Sequence, residues 1–265
     1  MPSDSPLRVM SFNIRCDIPG TLPGQADYWP ERAPALRAVL ADELPDVLGI
    51  QEGLAHQLAV IEEALPGRYR MIGHGRDGGS RGEHSCIYYD SHRLALEEWD
   101  QFWLSDTPAV PGSATWGNEV TRIATWGRFR DLRTGRQLMV VNTHFDHESE
   151  YAQLRSAGAI IGHTEPGLPT VLMGDFNAVA GASDTYSALV DSGVFRDSWT
   201  SAEEQLTPAF GTFLNYKDPV IGERRIDWIA VTPGITVADA AINTFRLHDR
   251  YPSDHAPIQA SLLVA

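Results

Sequence analysis

Apolar residues recur along the chain at two distinct periods. Leu36, Val39, Leu40 and Leu44 fall at i, i+3, i+4 and i+8, and Leu54, Leu58, Ile61 and Leu65 repeat a similar stripe. Each set predicts an amphipathic helix, the first closed by Pro45. Between them Val47-Leu48-Gly49-Ile50 is an apolar run of buried-strand length that stops at the polar pair Gln51-Glu52. The same grammar returns at 138–141, which stops at Asn142-Thr143-His144, and at 170–173, which stops at Gly174-Asp175-Phe176-Asn177. Tyr151, Leu154 and Ile161 between them read as one face of a third helix. Further strands are predicted at 9–13, 85–89, 122–131, 225–232 and 256–264. Many strands and few long helices imply an α/β architecture of two packed sheets with helices outside, a four-layer αββα sandwich. With neither linker nor repeat, residues 1–265 form a single domain.

Composition narrows the chemistry. Asp and Glu number 35 against 21 Lys and Arg, a net charge of −14, and Lys217 is the only lysine. A polynucleotide-tracking face neutralises many phosphates with Lys and Arg, so this balance argues against one while leaving room for a local phosphate site. No apolar run approaches the roughly 18 to 20 residues of a membrane span, and no membrane insertion is expected. Cys16 and Cys86, seventy positions apart, do not make a disulfide framework. The polar start, Met1 to Pro6, lacks a charged n-region followed by an apolar one, which gives a cytoplasmic location as the expectation.

Three motif matches fail on context. Gly73-His74-Gly75-Arg76-Asp77-Gly78 fits the dinucleotide string and Gly78-Gly79-Ser80-Arg81-Gly82 the nucleophile-elbow string. Both lie in a polar loop that runs into the strand-like Cys86-Ile87-Tyr88-Tyr89 rather than into a helix. His144 and His147 could suggest zinc, but on a continuing strand His144 shares a face with Asp146 while His147 points the other way.

What survives is a set of amide, carboxylate and imidazole groups at strand ends: Asn13, Glu52, His144, Asp175 with Asn177, and Asp227, Asp254 and His255. Each alone has a structural explanation as a turn cap, loop tie or satisfied core histidine. Asp227 is harder to explain so, because it interrupts an apolar strand face, and a buried carboxylate needs a partner such as a cationic histidine. Taken in order, Ser11-Phe12-Asn13, Gln51-Glu52, Asn142-Thr143-His144, Gly174-Asp175-Phe176-Asn177, Arg225-Ile226-Asp227 and Ser253-Asp254-His255 resemble the endonuclease/exonuclease/phosphatase superfamily. The resemblance spans nearly the whole chain with no core motif position missing, and it implies the DNase I-like αββα sandwich.

The resemblance further implies that Glu52 is the principal ligand of a divalent metal, with Asn13 beside it and Asp254 contributing directly or through water. Hard oxygen donors suit Mg2+, with Mn2+ as a substitute. Asp175 and Asn177 would orient or activate water, while His144 and His255, the latter held by Asp227, would contact phosphate oxygens. Such a set stabilises charge developing on phosphoryl oxygens better than it stabilises the ground state. Arg122 is the candidate for a substrate phosphate contact, and His147 and Arg155 flank the His144 segment. The loop 74–84, with Arg76 and Arg81, reads either as a phosphate-side rim or as a solvated hairpin. Trp99, Phe102, Trp103 and Trp126 read as core, and Trp116 as core or cleft.

The expected activity is metal-dependent phosphoester hydrolysis, as a phosphodiesterase or phosphatase on a small phosphorylated substrate. The alternative is an endo- or exonuclease acting on DNA or RNA, although no basic stripe interleaved with aromatics is present. An inactive phospholigand-binding relative is disfavoured because Glu52, Asp175, Asn177, Asp227, Asp254 and His255 are all retained.

Overall fold

The computed structural model describes residues 5–265. The leader expectation rests partly on residues 1–4, which lie outside them. The first half of the chain forms β1 (Leu7–Asn13), α1 (Trp29–Glu43), β2 (Val47–Gln51), α2 (Ala55–Ala64), β3 (Tyr69–Ile72), β4 (Ile87–Asp90), β5 (Leu94–Trp103) and β6 (Ile123–Asp131). The second half forms β7 (Gln137–His144), α3 (Glu150–His163), β8 (Thr170–Asp175), α4 (Asp184–Tyr186), β9 (Arg196–Asp197), α5 (Ser198–Ser201), β10 (Glu204–Gln205), β11 (Asp227–Val231), β12 (Ile235–Ile242) and β13 (Ile258–Val264).

Seven strands form one sheet in the order β10-β12-β13-β1-β2-β4-β3, and six form the other in the order β5-β6-β7-β8-β11-β9. Strand alternation divides the apolar residues among three layers. Val9, Val47, Val140, Val171 and Ile229 meet between the sheets. Met10, Phe12, Leu48 and Ile50 turn outward onto Leu36, Val39, Leu40 and Ile61 of α1 and α2. On the far side Met139, Val141 and Leu172 pack against Ala157 and Ile160 of α3. The predicted αββα sandwich is therefore the observed one.

A polar tie joins the sheets just behind the strand ends. Asn142 Nδ2 donates to the carbonyls of Ile50 and Cys86 at 2.8 Å each, and its Oδ1 accepts from Gln51 Nε2 at 2.6 Å. Gly49 leaves room for this tie, since a Cβ there would lie 2.6 Å from Met173 Sδ and 2.8 Å from Asn142 Oδ1.

Two expectations need correction. The buried face of α3 is Ala152, Gln153, Ser156, Ala157 and Ile160, with Ile161 partly buried against the same core, and does not include Tyr151 and Leu154. Small side chains let the helix lie close to the sheet, and Tyr151 and Leu154 stand 59% and 38% exposed. The strand expected to continue past His144 stops there; Asp146 Oδ1 instead accepts from the backbone N–H of Glu148 and Ser149, turning the chain into α3. Strands β3, β5 and β12 were not legible as alternations. β3 and β5 are edge strands, and bulges at Leu96/Glu98 and Val237/Asp239 break the period of β5 and β12.

Candidate active site

Sheet register brings the strand-end residues together. Parallel β7 and β8 set His144 against Asp175, and antiparallel β8 and β11 set Asp175 against Asp227. Parallel β1 and β2 set Asn13 against Gln51, one residue before Glu52. Gly174 permits the approach at φ +156, since a Cβ there would lie 2.1 Å from the Thr143 carbonyl oxygen. Glu52 and Asn177 themselves adopt left-handed φ values of 62 and 49.

These ends open into a cleft of about 390 Å3, lined in part by Glu52, Arg122, His144, Asp175, Asn177, Asp254 and His255. Asn13 lies beneath it, with Nδ2 donating to Glu52 Oε1 and Asp175 Oδ2 at 2.9 Å each. The Cys16 N–H donates to Glu52 Oε2 at 2.9 Å. Burial opposes the Glu52 charge, but these two donors prevail and hold its pKa below the usual value.

Asp175 Oδ2 lies 3.4 Å from His144 Nε2 and 3.7 Å from His255 Nε2, while the Asn177 N–H donates to Oδ1 at 2.9 Å. Burial, reinforced by the neighbouring Asp227 carboxylate, pushes the Asp175 pKa up to about 7. Asp227 Oδ2 accepts from His255 Nδ1 at 2.9 Å. Burial alone would lower the His255 pKa; Asp227 and Asp175 override it and raise it well above the usual value. His255 is thus a cation whose Nε2–H faces the cleft. His144 differs: burial, then Arg122 and His255, drive its pKa well down, and as neutral imidazole its Nε2 accepts from Asn177 Nδ2 at 3.0 Å.

Arg122 is buried, its Nη2 3.2 Å from His147 Nδ1 and its Nε ion-paired to Asp146 Oδ2 at 4.0 Å. The guanidinium lines the cleft, where an anion would meet its positive charge. From the loop 74–84, Arg76 reaches the cleft paired to Glu83 at 2.6 Å, whereas Arg81 turns back to the Asp77 carbonyl. His147 lines the cleft alongside His144, so the opposite-face expectation does not hold. Trp116 is core, its Nε1 donating to Asp106, and Arg155 joins that surface pair at 2.7 Å rather than the cleft.

Three residues escaped the sequence reading. Arg15 lies between carboxylates, 3.5 Å from Asp254 Oδ2, 3.9 Å from Glu52 Oε2 and 3.2 Å from Asp27 Oδ1. Phe213 is half exposed at the mouth, its ring centroid 5.0 Å from that of His255. Arg32 sits behind the site; a signal for it existed, since it precedes Leu36 by four on the apolar face of α1.

The donor chemistry fits a hard divalent cation. Glu52 and Asp254 already converge on one positive group, Arg15, and offer oxygen donors. Glu52, His144 and Asp175 also bring one ligand atom each within 4.8 Å of one another, as do Asp175, Asp227 and His255. Asn13 presents its N–H to Glu52 and so orients that carboxylate.

Comparison with known proteins gives a consistent picture. The family model described as Endonuclease/Exonuclease/phosphatase family matches residues 10–255. An endonuclease/exonuclease/phosphatase family protein of Bacteroides thetaiotaomicron is 34% identical at TM-score 0.90, with 98% of this chain and 95% of that one covered. A mannosyl-6-phosphatase of the same organism is 35% identical at TM-score 0.88, with 97% and 99% covered. A zebrafish (D. rerio) TDP2 complexed with single-strand DNA product is 16% identical at TM-score 0.70, with 97% and 98% covered, a likeness of fold alone. No curated protein matches the chain. Among the described residues no helix is long and apolar enough to cross a membrane.

Proposed function

The chain belongs to the endonuclease/exonuclease/phosphatase family, whose members are phosphoester hydrolases, and from this we propose that it hydrolyses a small phosphorylated molecule, a sugar phosphate above all, with a divalent metal. One observation carries the reading: a single cleft holds a carboxylate pair suited to a cation together with His255 and Arg122, whose positive charge suits a phosphate. The net charge of −14 and the 35% identity to a mannosyl-6-phosphatase support a small substrate over a polynucleotide.

Glu52 and Asp254 would hold Mg2+ or Mn2+, with Asn13 fixing the Glu52 carboxylate. When bound, that ion supplies Lewis acidity toward phosphoryl oxygen. Arg122 and the Nε2–H of His255 bind non-bridging oxygens and stabilise charge as it grows. Asp175, with a pKa near 7, takes the proton of the attacking water, which Asn177 helps to place. A bond forms between water oxygen and phosphorus as the ester P–O bond breaks, and the leaving alkoxide picks up a proton to give the alcohol and inorganic phosphate. Asp227 keeps His255 charged and oriented, and His144, neutral, fixes the Asn177 amide.

The test is turnover of mannose 6-phosphate, a phosphodiester and plasmid DNA with Mg2+. Monoester hydrolysis should stop with chelator, return with Mg2+ or Mn2+, and vary little with salt. Full turnover in exhaustively chelated protein would overturn the metal assignment. Efficient plasmid cleavage with a log-log salt slope near about −0.9 per phosphate contacted would overturn the small substrate and establish a nuclease.

A further inference from the structure

A second concavity, about 610 Å3, adjoins the cleft and shares His147 and Asn177 with it. Its walls come from the start of α3 and from the segment that follows β8, so the framework that positions Asn177 also forms the groove. Sites of about 300–1,000 Å3 accommodate organic ligands, and this one is larger than the cleft that receives the phosphate. A lone phosphorylated monosaccharide leaves such a space unused.

The lining states what can fill it. Glu150, Asp184 and Arg224 face the groove with no ion pair or side-chain hydrogen bond among the described residues, and Glu148 adds a third carboxylate. A nucleic-acid strand carries a negative charge at every nucleotide and would meet three carboxylates against one arginine, in a protein of net charge −14. A cationic chain would meet Arg224 and, in the adjoining cleft, Arg122 and His255. Neutral hydroxyl groups suit both signs, since carboxylates accept from them and a guanidinium donates to them.

A second observation agrees. Leu154, which helical periodicity would place in the core, is exposed on the groove wall, with Ala178, Val179 and Ala182 opposite it on the segment after β8. Apolar side chains beside unpaired polar groups suit the C–H faces and hydroxyl edges of pyranose rings.

We infer that this groove binds the unphosphorylated remainder of the substrate, a neutral oligosaccharide whose terminal sugar carries the phosphate into the cleft. This rests on the phosphatase reading above and extends it from a sugar phosphate to a phosphorylated glycan.

The experiment compares mannose 6-phosphate with a mannotriose bearing the 6-phosphate on its terminal residue. The trisaccharide should show kcat/KM higher by about tenfold or more. Ala182→Trp, which fills the groove, and the double change Glu150→Ala with Asp184→Ala should each bring the ratio of the two substrates toward one. Unphosphorylated mannotriose should bind the metal-free protein, measured by calorimetry, and Ala182→Trp should abolish that binding. Equal kcat/KM for the two substrates in the unaltered enzyme overturns the groove assignment and leaves the phosphatase reading standing. Hydrolysis of neither substrate with Mg2+, while mannotriose still binds, overturns the phosphatase reading alone. If the trisaccharide has no advantage and a phosphorylated lysine-rich peptide is turned over better, falling steeply with salt, the occupant is cationic and the inference fails.

Discussion

Arg32 and the floor of the cleft are both buried and charged, yet they are built by opposite rules. Arg32 is fully buried and all five of its N–H groups are used: Nε donates to the Asp27 carbonyl, Nη1 to those of Ile14 and Pro252, and Nη2 to those of Arg15 and Cys16. No carboxylate is needed, because saturated donors already replace the lost hydration. In the cleft, Asp175 and Asp227 face one another across a strand pair, His255 answers both, and Arg122 is held only by Asp146 at 4.0 Å and His147 at 3.2 Å. Satisfied charge there gives way to charge in competition, and burial, with the Asp227 carboxylate adding to it, moves the Asp175 pKa up to about 7. The first arrangement serves the second, since Arg32 clips the loop after β1, bearing Arg15 and Cys16, to the segment leading into Asp254 and His255.

The sharpest way to break this contrast is to remove the clip. Arg32→Met leaves five carbonyls without their donor, those of Ile14 and Pro252 buried, and should cost about 3–5 kcal/mol, the range for stripping one partner from a buried charged network. Against a typical total of about 5–15 kcal/mol this is a severe loss, readable by urea denaturation. Arg32→Lys keeps the charge but offers three donors, so it should recover part of the stability. If Arg32→Met unfolded at the urea midpoint of the unaltered protein, the clip would have no energetic meaning.

That Arg32 was missed while the cleft was legible has a physical cause. Strand-end carboxylates and imidazoles interrupt apolar runs, and that interruption marks Glu52, His144, Asp175 and Asp227 in the sequence. The sandwich was legible for the same reason, through runs such as 47–50 and 170–173. An arginine bonded to backbone carbonyls leaves no partner type to look for, because every residue has a carbonyl. The groove was hidden differently: Leu154 looked apolar and therefore internal, although small residues such as Ala152 and Ala157 let α3 pack by its other face.

On the other side of the comparison, Asp175→Asn and His255→Ala remove competing charges rather than satisfied ones. Each should lower kcat by about 10² to 10⁴, the range for a positioned proton-transfer group, with the fold intact by circular dichroism. A variant retaining more than about half the activity on its best substrate would remove that residue from the machinery.

The smallest effect concerns how stability responds to pH in the metal-free protein. The His255 pKa is raised in the folded state, where burial is overridden by Asp227 and Asp175, above an unfolded value of about 6.5. A group raised in this way contributes stability fully below the unfolded value, and the contribution is lost as pH climbs through the folded one. The unfolding free energy of the chelated protein, less that of His255→Gln, should therefore be largest near pH 6 and shrink steadily on the alkaline side. Arg32 is held by backbone carbonyls, which do not titrate, so the difference between Arg32→Lys and the unaltered protein should stay flat over the same range. A His255 difference that also stayed flat would mean that Asp227 orients a neutral imidazole, and the two regions would then differ in geometry alone and not in how they hold charge.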